Sequence, residues 1–181
     1  MRILLALLLS LQFLLAYPTI KIKYNYYTIS PKSKSDIKNQ ILKNSPTHYA
    51  GFTKWRINYH YKWKRSGNQC KITKTDVKLT ITHTMPKILN PNQVDKDVRH
   101  TFEQYYDALL SHEKNHKKIS RDAAFALEEM LLSYKGNCSL MESTIKKRAK
   151  EIFDTCKTRN KKYDETTQHG KTEGVLLEMY F

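Results

Sequence analysis

The chain has 181 residues and a formal net charge of +15, with three cysteines and five glycines. That length accommodates one domain around one core. The lysines are scattered, with no arginine cluster and no recognisable nucleic-acid module, which argues against a specific nucleic-acid binder; the joint richness in Lys, Asn, Ile and Tyr is the bias that AT-rich codons produce and accounts for the charge better than contact with an anionic surface, which stays an alternative.

In chain order, "MRILLALLLSLQFLLA" has one charge at Arg2, an apolar run and a small residue at Ala16. The run is about 14 residues long, short of the roughly 20 that span a bilayer. It reads as a secretory signal peptide over residues 1–16, cleaved near Ala16/Tyr17. Residues 17–181 are then a single secreted or periplasmic domain with a net charge of +14, Arg2 having been removed.

"TIKIKYNYYTI", residues 19 to 29, reads as a strand, and "SPKSKSDIKNQILKNSP" as a short amphipathic helix between serine caps and Pro46. In "TKWRINYHYKW", Trp55, Ile57, Tyr59, Tyr61 and Trp63 alternate with polar residues, the pattern of a half-buried antiparallel strand. "RSGNQ" supplies a turn. A second strand carries Val77, Leu79, Ile81, His83 and Met85 on one face and is expected to end at Pro86. His83 reads as a core or edge histidine.

From Val98 to Met130 apolar residues recur at alternating spacings of four and three, predicting one long helix with an inward seam. Gly136 in "SYKGNC" is its expected C-terminal cap. Ser139 and Glu142 have capping-box spacing, opening a second helix to about residue 162. A short connection makes the two an antiparallel hairpin. The elements add up to an α+β fold, with a small antiparallel sheet packed on the long helix and its hairpin partner.

His112, Glu113 and His116, in "HEKNH", lie on the seam. Histidines four apart share a helix face and can reach one ion, and burying two imidazoles without partners is costly. A match to H-E-x-x-H arises by chance about once in a hundred sequences of this composition. Helical placement and inward orientation favour a Zn²⁺ site, with Glu113 placed to hold a water. A third ligand is then required. Asp122 stands at one familiar spacing, but Ile119 occupies the place where that pattern needs glycine, and Asp122 points away from His112. Glu128 and Glu129 read as solvated surface. Running the hairpin back from its turn brings "YDETTQHG" level with the two histidines. His169 is the expected third ligand, with Asp164 as the alternative. Of the cysteines, Cys138 and Cys156 lie about 27 Å apart on one helix, beyond the roughly 7 Å that a disulfide allows, so Cys70 pairs with one of them.

The stretches "TKWRINYHYKW", "LLSHEKNHKKIS", "NCSLME" and "YDETTQHG" together resemble a bacterial family of predicted secreted zinc-dependent proteases, catalogued as a domain of unknown function. The resemblance implies a zincin-like fold, the metal motif at His112, Glu113 and His116, and a further polar cluster at Tyr163, Asp164, Thr167 and His169. It also implies a Cys70–Cys138 disulfide; Cys156 departs from the family's pattern and reads as a buried thiol. The expected activity is that of a monomeric peptidase acting on a peptide or protein substrate in the cell envelope. Glu113 would be the general base and Tyr163 a donor to the oxyanion. The competing expectation is a non-catalytic envelope protein whose metal is structural and whose basic surface meets an anionic partner.

Overall fold

The computed structural model describes residues 17–47 and 49–180; the expected signal segment, residues 1–16, lies outside them. Strand β1 (Thr19–Ile29) leads to helix α1 (Lys34–Asn44), which Ser33 caps by accepting the Asp36 amide and which buries Ile37 and Ile41. Strands β2 (Phe52–Ser66) and β3 (Gln69–Ile88) form the expected hairpin. Gly67, at φ 59°, takes the first of the two loop residues, the position a type II′ turn reserves for glycine. Helix α2 (Lys96–Leu132), a short strand β4 (Lys135–Asn137) and helix α3 (Met141–Thr167) complete the frame. Among the described residues, no helix is long and apolar enough to cross a membrane.

The sheet is mixed, a correction to the antiparallel expectation. Its order is β1-β3-β2, with β1 parallel to β3 and β4 antiparallel to the start of β3. Alternation tells which face a residue occupies but not which strand lies beside it or in which direction. Strand β3 also continues through Pro86 to Ile88. The partner β2 stops at Thr84, so at Pro86 only β1 remains alongside, and a residue without an N–H is tolerated there. Thr73 is left unpaired where the register slips at Lys62/Trp63, and this bulge lets both Ile72 and Thr75 point inward. Trp63, expected on the inward face, is 47% exposed.

Both long helices pack on the inner face of the sheet, around two apolar clusters. One joins Ile72, Val77, Leu79 and Ile81 to Ala124, Leu127, Leu131 and Ile145. The other joins Ile29, Ile37 and Met85 to Val98, Phe102, Tyr105 and Leu109. Between them α2 turns His112, Glu113, His116 and Ser120 inward, and all four are buried. The candidate site is therefore a polar layer in the middle of the core.

Five local expectations change. Past His116 the buried face moves round by one position, to Ser120, Ala124, Leu127 and Leu131, leaving Ala126 exposed. Glu128, expected in solvent, is thereby buried and accepts a hydrogen bond from Thr75. Gly136 is not a helix cap: α2 ends at Leu132 with Ser133 as its C-cap, and Gly136 pairs with Cys70. The Ser139–Glu142 capping box does not form, because the Ser139 N–H bonds to the Asn137 side chain, while α3 runs beyond residue 162 to Thr167. Cys70 and Cys138 are bridged, with Cα atoms 4.9 Å apart, and Cys156 is a buried thiol.

Candidate metal centre

One turn of helix separates His112 from His116, so their rings lean toward the same point, and α3 crosses there with Asp164. The His112 and His116 Nε2 atoms are 3.3 Å apart. Asp164 Oδ1 lies 3.3 Å from the first and 3.0 Å from the second. A tetrahedron with bonds of 2.0–2.1 Å, as zinc forms to nitrogen and oxygen, has edges of about 3.3–3.4 Å. Among the described residues, these are the three whose ligand atoms all lie within 4.8 Å of one another. The donor set, two imidazoles and a carboxylate, is one that zinc takes in open sites.

The far nitrogen of each histidine is held. His112 Nδ1 lies 2.8 Å from Glu173 Oε2, and His116 Nδ1 lies 2.7 Å from Asn160 Oδ1. Bonding the outer nitrogen to an oxygen fixes the tautomer that leaves Nε2 free for an ion. Electrostatics agree. Burial opposes a proton on either histidine, but hydrogen bonds to Asp164 and then to Glu173 or Asn160 outweigh it and raise both pKa values. Burial alone would raise the pKa of Asp164, yet the two histidines hold it well below the usual carboxylate range. The pocket thus attracts positive charge, and a divalent cation would displace protons from it.

Glu113 points from α2 toward the sheet and is 3% exposed. Its Oε2 accepts from Thr53 Oγ1 at 2.6 Å, and Thr53 Oγ1 is 2.7 Å from His83 Nδ1. With the hydroxyl proton directed at Glu113, His83 must donate its Nδ1–H to Thr53. Burial first, and then the Thr53 bond in opposition, leave the Glu113 pKa raised. Burial and nearby lysines lower the His83 pKa to about 4, so this ring is neutral.

The segment after Asp164 has a physical account. Thr167 donates to the Tyr163 carbonyl and accepts from the Gly170 N–H, and the His169 N–H reaches the Asp164 carbonyl at 2.7 Å. Gln168 and His169 take left-handed conformations, φ 51° and 56°, before Gly170 at φ 83°. A Cβ at Gly170 would stand 3.1 Å from His112 Cγ and 2.6 Å from Val175 Cγ2, so only glycine lets the chain pass behind the histidine and bring Glu173 to it.

Tyr163 stacks on His112 with ring centroids 4.9 Å apart, donates to Glu173 and accepts from Asn115. Its hydroxyl is therefore spent behind the histidine and is not among the groups lining the cleft, where an oxyanion donor would have to be. His169 does line the cleft. Its Nδ1 is 4.0 Å from Asp164 Oδ1 and its ring faces Tyr49 at 5.3 Å, at the mouth rather than in the triad. Asp122 pairs with Arg159 at 3.0 Å, away from the site. Thr53, Asn160 and Glu173 carry no signal in the sequence: the outer nitrogens of His116 and His112 mark Asn160 and Glu173, and the buried Glu113 carboxylate marks Thr53, in three dimensions alone. The cleft itself is an open cavity of about 370 Å³ between α2, α3 and the start of β2.

A family profile described as "Bacterial protein of unknown function (DUF922)" matches residues 24–170. The chain belongs to this family. The matched span of DUF922 takes in His112, Glu113, His116, Asp164, His169 and Gly170, and stops short of Glu173. No curated protein and no solved structure matches the chain.

Proposed function

We propose that this DUF922 protein is a secreted zinc-dependent peptidase, with His112, His116 and Asp164 holding the metal and Glu113 as general base. The observation that carries the reading is the pairing of a metal-type triad with a second, separately oriented carboxylate on the same open cleft. A purely structural site has no use for Glu113 or its Thr53 donor. The Cys70–Cys138 disulfide supports an oxidising compartment, as the apolar leader does.

When bound, zinc supplies Lewis-acid polarisation of the scissile carbonyl and lowers the pKa of a water to about 7. Glu113 takes the proton of the attacking water and delivers it to the leaving amine, its raised pKa matching it to both tasks. Thr53 aims the carboxylate. Asn160 and Glu173 hold the two imidazoles in register. His169, at the cleft mouth, is placed to meet substrate rather than to complete the triad.

One observation favours a second reading, a structural staple: the triad ties α2 to α3. Elemental analysis of residues 17–181 decides between readings of the ligand set. About one zinc per chain is expected, lost in His112→Ala and Asp164→Ala and kept in His169→Ala. Retention of zinc by Asp164→Ala with loss in His169→Ala would restore His169 as third ligand. For catalysis, the zinc-loaded wild type should hydrolyse a peptide pool that Glu113→Gln, equally loaded, leaves intact. Equal activity of the two proteins would sink the mechanism.

A further inference from the structure

The cleft at the triad does not stop at the triad. Thr53 and Trp55 line it, and they also line a second cavity of about 880 Å³ that continues along β2. Strand β2 is an edge of the sheet, so its outer backbone is open to an added strand. The two walls of this second cavity differ in chemistry. On the outer face of the sheet, Lys54 and Arg56 stand beside Thr82 and Thr80, and Lys23 of β1 flanks Thr82 on its other side. On the inner side lie Trp55, Ile57 and Phe153, with Trp55 and Phe153 ring centroids 6.2 Å apart.

Among the described residues, no carboxylate pairs with Lys23, Lys54 or Arg56; the fourth basic residue, Lys157, shares Asp154 with Lys150. Other basic residues do have carboxylate partners: Lys78 with Asp76, Lys38 with Glu178, Arg159 with Asp122. The groove thus carries uncompensated positive charge on one wall and aromatic surface on the other. An extended chain presents successive side chains to opposite faces, with every second one about 7 Å apart, which is also the spacing of Lys54 and Arg56.

We propose that this groove binds an extended acidic peptide in which carboxylate side chains alternate with apolar ones. Carboxylates face Lys23, Lys54 and Arg56, the intervening side chains face Trp55, Ile57 and Phe153, and the chain runs on to Glu113. The proposal names the substrate class of the site above and so rests on the peptidase reading.

The test uses zinc-loaded Glu113→Gln protein and a fluorescein-labelled peptide of alternating glutamate and leucine, followed by anisotropy. Its twins carry lysine for glutamate, or the same glutamates and leucines in two blocks. The alternating acidic peptide should bind at least about tenfold more tightly than either twin. Lys54→Glu/Arg56→Glu should abolish that preference, whereas Lys43→Glu/Lys96→Glu, an equal charge change outside the groove, should keep it. Equal binding of the alternating and block peptides, or displacement by polyphosphate regardless of pattern, would mean a general anionic surface and overturn the proposal. So would a preference untouched by the groove reversal in protein whose circular dichroism is unchanged. Wild-type protein incubated with the same peptide reads the other question separately. Patterned binding without cleavage removes the peptidase reading and leaves the groove, and cleavage without charge preference does the reverse.

Discussion

Glu113 is aimed by a chain of hydrogen bonds that begins in the sheet. His83 donates to Thr53 and Thr53 to Glu113, so two β residues hold the proposed base on α2. Thr53→Val removes the donor while keeping the volume. With that bond gone, burial raises the Glu113 pKa further against the pull of His116 and His112, and peptide hydrolysis should fall by at least about tenfold, with Thr53→Ser restoring it. His83 also sets a pH dependence. Its ring is fully buried, and its pKa is lowered from 6.5 to about 4. Between those values the unfolded chain binds a proton that the folded one refuses. Stability is therefore complete above about pH 6.5 and declines as the pH falls toward 4, by roughly 3 kcal/mol from this residue alone. His83→Asn, which can still donate to Thr53, should flatten that decline in urea unfolding of metal-free protein between pH 7 and 4; parallel curves would refute it. At this scale the sequence was legible where a motif or a count along a helix reached the residue. "HEKNH" pointed to three groups, and hairpin arithmetic brought Asp164 and His169 alongside. It gave no access to Thr53, Asn160 or Glu173, which lie far away in the chain and carry ordinary composition, and it put the Tyr163 hydroxyl in the wrong place.

The longest element shows why patterns blur with distance. A strict alternation of three and four averages 3.5 residues, while the helix turns every 3.6, so the seam drifts by about 20° per heptad. Over the 37 residues of α2 this amounts to about one position, which is why His112 and His116 were placed correctly and Ala126 was not. The same drift buries Glu128, with Oε1 bonded to Thr75 and Oε2 without a partner among the described residues. Thr75→Val should then destabilise the domain by about 1–3 kcal/mol, because it strands a buried carboxyl. The double change Thr75→Val/Glu128→Leu should recover most of that loss, since removing both partners removes the desolvation cost. Urea unfolding of the three proteins checks it, and a double variant no better than the single would show that the pair stabilises the fold. Strand positions were legible from alternation, but the parallel partnership of β1 was not, because neighbour and direction depend on contacts that no single strand encodes.

At the scale of the whole molecule, the described residues form two apolar clusters with a polar layer between them, and the disulfide and the triad fasten different parts of the fold. Cys70–Cys138 closes a separation of 68 residues at the end of the sheet where the first cluster lies. A loop of that length corresponds to about 4 kcal/mol in the chain-entropy account. The triad instead joins the middle of α2 to the end of α3. Cys70→Ser/Cys138→Ser should therefore lower stability by about 2–4 kcal/mol while leaving zinc affinity within about threefold of wild type. Zinc at about 100 times its Kd should add about 2.7 kcal/mol to wild type and to the cysteine variant alike, and nothing to Asp164→Ala. Thermal unfolding with and without a chelator measures each increment. A catalytic site asks for such a modest, separable contribution, because its ligands are already held by Asn160, Glu173 and the packing of two helices. If the chelator unfolded the wild-type domain outright, the metal would be part of the core, and the staple would become the better reading of the triad.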